Sequence, residues 1–241
     1  MSQFFGSDRT GYSDSLVPTS QADILEQRNF ITKVFGWMTL GLAISAIVGL
    51  LLDRSPQTVM ALEKSWLLVM IVQLALAFGL SLAINRISAA LATLLFLAYS
   101  ASIGLTLAIV MLLFTRQSIY STFFVTAGTF GSMALYGYVT KRDLTSIGHL
   151  AGMALMGIII AMVVNMFMGS AQLNYIISII GVVVFVALTA YDTQKIKYMY
   201  MVGADGSEAH QKAAIMGAFT LYLDFINLFL FLLQLMGRQR D

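Results

Sequence analysis

The chain has 241 residues, of which 59% are hydrophobic and 11% charged; its formal net charge is +2 and it has no cysteine. Soluble domains carry about 25% charged residues. This composition, with a mean hydropathy of +0.83, excludes an ordinary soluble domain and describes an integral membrane protein. The small net charge argues against a nucleic-acid partner, and the lack of cysteine excludes disulfides and thiol chemistry.

Residues 1–29 read as a polar tail, with Gly, Ser, Asp and the helix-breaking Pro18. The tail lacks the apolar core of a cleavable signal peptide, so the first spanning helix is expected to act as the insertion signal. A single transmembrane domain is expected over residues 30–237, followed by a short tail at 238–241.

Seven apolar segments follow in that domain: Ile31–Leu52, Trp66–Ile84, Ser88–Phe114, Ile119–Val139, Ile147–Met168, Tyr175–Lys195 and Ala213–Met236. Each is long enough to cross a bilayer as a helix. The expected class is therefore an all-α integral membrane protein with seven transmembrane helices. Short connections make neighbours antiparallel. Only Pro18 and Pro56 occur, neither in a span, so motion must come from tilting whole helices or from glycine.

Lys and Arg in the loops set the orientation. The N-terminal tail and the even loops carry nine of them, including Arg28, Arg86, Lys141, Arg142, Lys197 and Lys212. The odd loops and the C-terminus carry five: Arg54, Lys64, Arg116, Arg238 and Arg240. This bias puts the N-terminus in the cytoplasm and the C-terminus outside. Small residues four apart let helix backbones approach. Such rows run through Gly41, Ser45 and Gly49; Ser100, Gly104 and Ala108; Ala127 and Gly131; and Gly157 and Ala161, leading to Asn165.

The last segment has a grain. Ala213, Gly217, Thr220, Asp224, Asn227 and Gln234 recur at helical spacings and make one face small or polar. Such a face inside a membrane should meet protein or water, which makes this the central helix. An ionised group at that depth costs several kcal/mol and is a functional-site candidate by default. The sixth segment offers a second carboxylate, Asp192, in Tyr191-Asp192-Thr193-Gln194-Lys195. The other acids lie in or beside loops.

Two carboxylates that meet in a low-dielectric interior share one proton and titrate as a unit. Protonated, the pair is a hydrogen-bonded bridge between helices. Deprotonated, it repels itself and offers hard oxygen ligands suited to Ca²⁺. The competing readings are a single functional Asp, or Asp as structural polar glue. Arg86, after the second segment, is a candidate counter-ion; an anchor at the headgroup level is its plainer role. Gln73 and Asn165 are adequately explained by interhelical hydrogen bonds.

No enzyme is expected. His149 and His210 lack metal-ligand spacing, and no phosphate-binding glycine loop occurs. Tyr191-Asp192 with a second intramembrane Asp is similar to presenilin-type proteases. Those, however, carry Gly-x-Gly-Asp where this chain has Leu221-Tyr222-Leu223-Asp224, and they need a Pro-Ala-Leu motif in a region that here has no proline.

Leu188-Thr189-Ala190-Tyr191-Asp192-Thr193-Gln194-Lys195-Ile196-Lys197 and Leu221-Tyr222-Leu223-Asp224-Phe225-Ile226-Asn227-Leu228-Phe229 strongly resemble the Bax inhibitor-1 family, in its bacterial branch. Gly137-Tyr138-Val139-Thr140-Lys141-Arg142-Asp143-Leu144 looks like the family's fourth-loop motif, and Phe35-Gly36-Trp37-Met38-Thr39 is similar to the opening of its first helix. The resemblance implies two groups of three helices around a central seventh, in a bacterial inner membrane. It also implies a pH-sensitive calcium leak, with Asp192 and Asp224 as the paired sensor and ion site and Arg86 as the latch. Tyr191, Thr220, Asn227 and Gln73 are the supporting polar residues. No cofactor is expected beyond calcium as the carried ion. Some relatives have an acid in the second helix, where this chain has Gln73, Ala75 and neighbours. The bacterial branch is further implied to modulate a membrane-anchored ATP-dependent protease, with the N-terminal tail as the handle. The cell-death role of eukaryotic relatives does not transfer to a chain of this type.

Overall fold

A computed structural model of the chain describes residues 21–201 and 206–240. The tail proposed as a protease handle falls mostly at residues 1–20, outside the described residues. Eight α-helices and one short 3-10 helix make up the described chain. They are α1 (Gln21–Asp53), α2 (Pro56–Lys64), α3 (Trp66–Ala83), α4 (Ala89–Leu113), α5 (Arg116–Val139), α6 (Thr145–Met168), α7 (Ala171–Tyr198), the 3-10 turn Met199–Met201, and α8 (Glu208–Met236).

The seven expected segments are seven of these helices, with ends displaced where local chemistry overrides hydropathy. α1 begins at Gln21, so residues 21–29 of the expected tail are helix. Phe30 and Gln27 are buried there, and Gln27 Nε2 donates to the Lys197 carbonyl at 3.2 Å. That contact lets a polar stretch continue the helix past the apolar core. α2 was not expected as a helix. Pro56 opens it at a position where the missing N–H costs nothing. Side-chain caps start four more: Ser88 for α4, Thr115 for α5, Ser170 for α7 and Ser207 for α8, each accepting from the backbone N–H three residues on. These satisfy donors that a helix start leaves orphaned.

Six helices are long and apolar enough to cross a membrane: α1, α3, α4, α6, α7 and α8. α5, the expected fourth span, does not meet that standard. Its 24 residues suffice in length, but Ser, Thr, Gly and Tyr dilute it. It packs one face along α7 and α8.

Two groups form around one helix. α1 packs along α4, and α4 along α3; α7 packs along α5 and α6; the two groups scarcely touch one another. α8 lies between them against α1, α4, α5 and α7. Its most apolar stretch is 72% buried, against 11% for α3 and α6. The central position read from its polar grain is therefore what the structure shows, but the buried surface is largely Phe, Leu and Ile: of the polar face Gly217 and Asp224 are buried, Ala213, Thr220 and Asn227 half-buried, and Gln234 exposed. Phe219 and Tyr222 meet Phe96 and Tyr99 of α4 edge to face at 5.1–6.3 Å, the favoured geometry for aromatic pairs.

The small-residue rows divide into two kinds. Gly41, Ser45 and Gly49 of α1 lie against Ser100, Gly104 and Ala108 of α4. A Cβ on Gly104 would sit 2.5 Å from the Val48 Cβ, and one on Gly49 3.4 Å from the Gly104 carbonyl oxygen. These are packing seams. Gly131 and Gly157 are not: both are exposed on the outer surface, and a Cβ would meet nothing within 4 Å. Spacing alone cannot tell which face of a uniformly apolar helix turns inward.

Candidate functional site

α7 and α8 run antiparallel and close together. Near one end, Ser178 donates to Gln234 Oε1 at 2.7 Å. Further along, Phe185 stacks on Phe231 with centroids 5.8 Å apart. Gly181 makes room for that ring; a Cβ there would lie 2.7 Å from it. Toward the other end Ile196 rests on Gly217. Between these contacts Asp192 and Asp224 come together. The two carboxyl groups lie within side-chain hydrogen-bonding range, and the Asp192 charge acts on Asp224.

The surroundings of the two acids differ. Asp224 is 4% exposed, and its Oδ2 is buried with no hydrogen-bond partner. Asp192 is half-buried, and Lys195, one turn on and exposed, is the cation that acts on it. The nearby hydroxyls are spent locally: Thr189 donates to the Phe185 carbonyl and Thr193 to the Thr189 carbonyl, both at 2.7 Å. A buried carboxyl oxygen left bare is costly. Carrying a proton lowers that cost, and so does a cation held against both groups.

The other expected site residues are dispersed. Arg86 is exposed in the turn after α3 and makes no ion pair with either aspartate among the described residues. The reason is architectural: α3 is an outer helix leaning on α4, away from α7 and α8. The latch read onto Arg86 is thus not formed in this conformation. Tyr191 turns the other way, its ring seated on Gly148 of α6. Thr220 donates to the Met216 carbonyl at 3.1 Å and Asn227 to the Leu223 carbonyl at 2.8 Å, so both bond along their own helix. Gln73 does bridge helices: its Nε2 donates to the Ser102 carbonyl at 2.9 Å and to Thr106 Oγ1 at 2.8 Å. Asn165 is an exception to the interhelical reading. Its Oδ1 accepts from Ser170 N at 3.0 Å and braces the turn that Gly169 makes at φ +62°.

Sequence reasoning missed Gln194, two residues from Asp192. Its Oε1 accepts from Leu144 N at 2.9 Å and its Nε2 donates to the Arg142 carbonyl at 2.8 Å. One amide thus holds both sides of the α5–α6 loop to α7. Lys197 adds a bond from Nζ to the Tyr138 carbonyl at 3.0 Å. The signal was a glutamine in the polar last turns of α7, on the buried side of the helix. Also missed was a buried knot of hydroxyls. Ser45 Oγ lies 2.7 Å from the Ser100 carbonyl and 2.6 Å from Tyr222 Oη. Tyr222 is fully buried, so its hydroxyl needs that partner.

Among the described residues no three His, Cys, Asp or Glu side chains gather as a metal cluster. Ca²⁺ takes about six to eight oxygens. Two carboxyl groups alone supply too few, so an ion held there keeps most of its water.

The family profile described as "Inhibitor of apoptosis-promoting Bax1" matches residues 27–241. The chain is similar to the inner membrane protein YbhL of Escherichia coli, 45% identical over 237 residues that cover 97% of this chain and all of the relative. An uncharacterized protein of Borreliella burgdorferi is 45% identical over 223 residues, covering 91% of this chain and 96% of its own. YrjE of Lactococcus lactis is 35% identical over 225 residues, 89% of this chain and 94% of its own.

Proposed function

The chain belongs to the Bax inhibitor-1 family, and on that premise we propose that it is a pH-sensitive cation leak or transporter whose gate is the Asp192–Asp224 pair, with calcium as the carried ion. The observation that carries this reading is the meeting of two carboxyls on the central helix and its closest neighbour, with Asp224 Oδ2 lacking a partner.

The mechanism follows from what each charge state does to one interface. With a shared proton, the pair ties α7 to α8 and no cation is attracted. Loss of that proton leaves two like charges in a poorly screened interior, where repulsion is strong. The helices are then pushed apart, and the site turns into a cation attractor. A rising pH therefore opens the path, and an entering cation replaces the proton as the neutralising charge. The small number of ligands suits passage better than storage. In a moving bundle, Arg86 is the cation available to the pair when α3 shifts inward.

We place the protein in the inner membrane, as the name of the Escherichia coli relative suggests, with the N-terminus in the cytoplasm and the C-terminus outside. The test is Ca²⁺ flux in proteoliposomes measured across pH. The native chain should show flux with a pH midpoint. Asp192→Asn and Asp224→Asn should each remove the midpoint. If both leave flux and midpoint unchanged, the reading fails.

A further inference from the structure

At the end of the bundle remote from the α7–α8 turn, the chain's last residues are tied down. Phe114 and Gln239 form an antiparallel bridge, Thr115 N donates to the Arg238 carbonyl at 3.0 Å, and Arg240 N donates to the Leu113 carbonyl at 2.9 Å. This short pairing fixes Arg240 beside the start of α5. A cavity of about 170 Å³ opens there, lined by Asp53, Val59, Leu112, Arg116 and Arg240. Its lining carries two guanidinium groups to one carboxylate. Asp53 is already committed: its Oδ2 accepts from Arg116 at 2.8 Å. That ion pair orients Arg116 and leaves its other N–H groups for something else.

Arg116 and Asp53 also border a second, much smaller hollow, completed by Leu50, Met111, Ile119 and Tyr120. Leu50 and Tyr120 are 50% and 57% exposed; in a bilayer, such side chains meet lipid. Asp53 ends α1 and Arg116 starts α5, so the charged cavity lies at headgroup level with the apolar hollow against the same arginine. Guanidinium groups match tetrahedral phosphate oxygens. A tyrosine at that level is the usual interfacial anchor.

We propose that this cavity binds the phosphate of an anionic phospholipid between Arg116 and Arg240, with an acyl chain along Leu50, Ile119 and Tyr120. The shared chemistry is a phosphate, which a free ion would also supply. The adjoining apolar hollow selects the lipid. The one positive charge in excess selects a net-negative head group over a zwitterionic one.

The test uses the full chain in detergent and counts bound lipid by native mass spectrometry. The probes are phosphatidylglycerol, phosphatidylcholine of the same chain lengths, and inorganic phosphate. Phosphatidylglycerol should be retained over phosphatidylcholine. Arg240→Gln should weaken its retention about tenfold, the worth of one charge-assisted contact. Arg240→Lys should retain part of that. The double change Arg116→Gln with Arg240→Gln should erase the preference, and Asp192→Asn should leave it intact. Arg240 is exposed, so its replacement does not threaten the fold. Equal retention of the two lipids, no loss in Arg240→Gln, or displacement of phosphatidylglycerol by millimolar inorganic phosphate would each overturn the proposal.

Discussion

The α1–α4 seam and the α7–α8 contact are both tight, and both bury polar groups against the central helix, yet they are built for different ends. In the first, Gly41, Gly49 and Gly104 bring backbones together, and Ser45 holds the Ser100 carbonyl and the Tyr222 hydroxyl. Every group there is neutral over the ordinary pH range. The network has one satisfied state and keeps it. In the second, two carboxyls face each other and one oxygen has no partner. No single arrangement satisfies that pair in all its charge states. A hydroxyl knot fixes a contact, whereas an acid pair makes the contact conditional.

The strongest way to break this contrast is to wedge the fixed seam. A Cβ on Gly104 would meet Val48 at 2.5 Å and the Ser45 carbonyl oxygen at 2.9 Å, the latter backbone that cannot swing aside. Gly104→Val should destabilise the chain by about 1–3 kcal/mol, the usual cost of overpacking, read as a lowered midpoint of thermal unfolding in detergent. Gly157→Val, in open space on α6, should change the midpoint little. Equal losses from the two would mean the seam is not the close contact described.

A milder probe removes the hydroxyl at the centre of the knot. Ser45→Ala leaves Tyr222 with one partner fewer. Hydrogen bonds between membrane helices average about 0.6 kcal/mol and reach about 1.7, so a loss within that range is expected. This loss should be the same at pH 5 and pH 8, because nothing in the knot titrates there. A pH-dependent loss would move the knot into the same class as the acid pair.

Asp224→Asn sharpens the contrast from the other side. It removes the like charge that deprotonation creates but keeps the shape. Its effect on stability at low pH should be small, under about 1 kcal/mol, since the native pair is then protonated and unstrained. The difference should appear as pH rises. Repulsion weakens the α7–α8 contact in the native chain, and the variant escapes it. Unfolding midpoints followed from pH 5 to 9 for both chains would show this as diverging curves; parallel curves would mean the pair carries no proton-linked energy.

How much of this could be read from the sequence depends on what each residue has to satisfy. Asp224 was legible because a carboxylate in hydrocarbon has few bland explanations, and the 3–4 spacing of Gly217, Thr220 and Asn227 gave its helix a face. Six of the seven long helices were legible from hydropathy, and α5 from its length and its place between two loops. The N-terminal ends of α1 and α8 were not, because Gln27 and His210 are polar residues buried by tertiary contact. Nor was the facing of Gly131 and Gly157, since lipid and protein are both apolar and a small residue reads the same against either. Arg86 shows the other limit. Its place in the chain, just after the second span, was clear, but its distance from the pair is set by α3 leaning outward on α4. The Gln194 clamp needed the α5–α6 loop to be folded back first, which no local pattern encodes.

The smallest effect belongs to that same loop. Asp143 accepts from Thr145 N at 2.9 Å at the entry to α6, and the Thr145 backbone and side chain hold its carboxyl below the usual carboxylate range. A carboxyl with a lowered folded value stabilises above its unfolded value, and that contribution fades as pH falls through the folded one. Asp143 is almost fully exposed, so solvent screens most of the gain. Asp143→Ala should therefore lower the unfolding midpoint by on the order of 1 °C at neutral pH. The difference should shrink toward zero as the pH is taken below the ordinary carboxylate value of about 4 and on through the lower native one. Gln194 clamps the residues on either side of Asp143, so the loop stays in place when this cap is lost. A loss of several degrees would instead assign to the aspartate the anchoring that the geometry assigns to the glutamine.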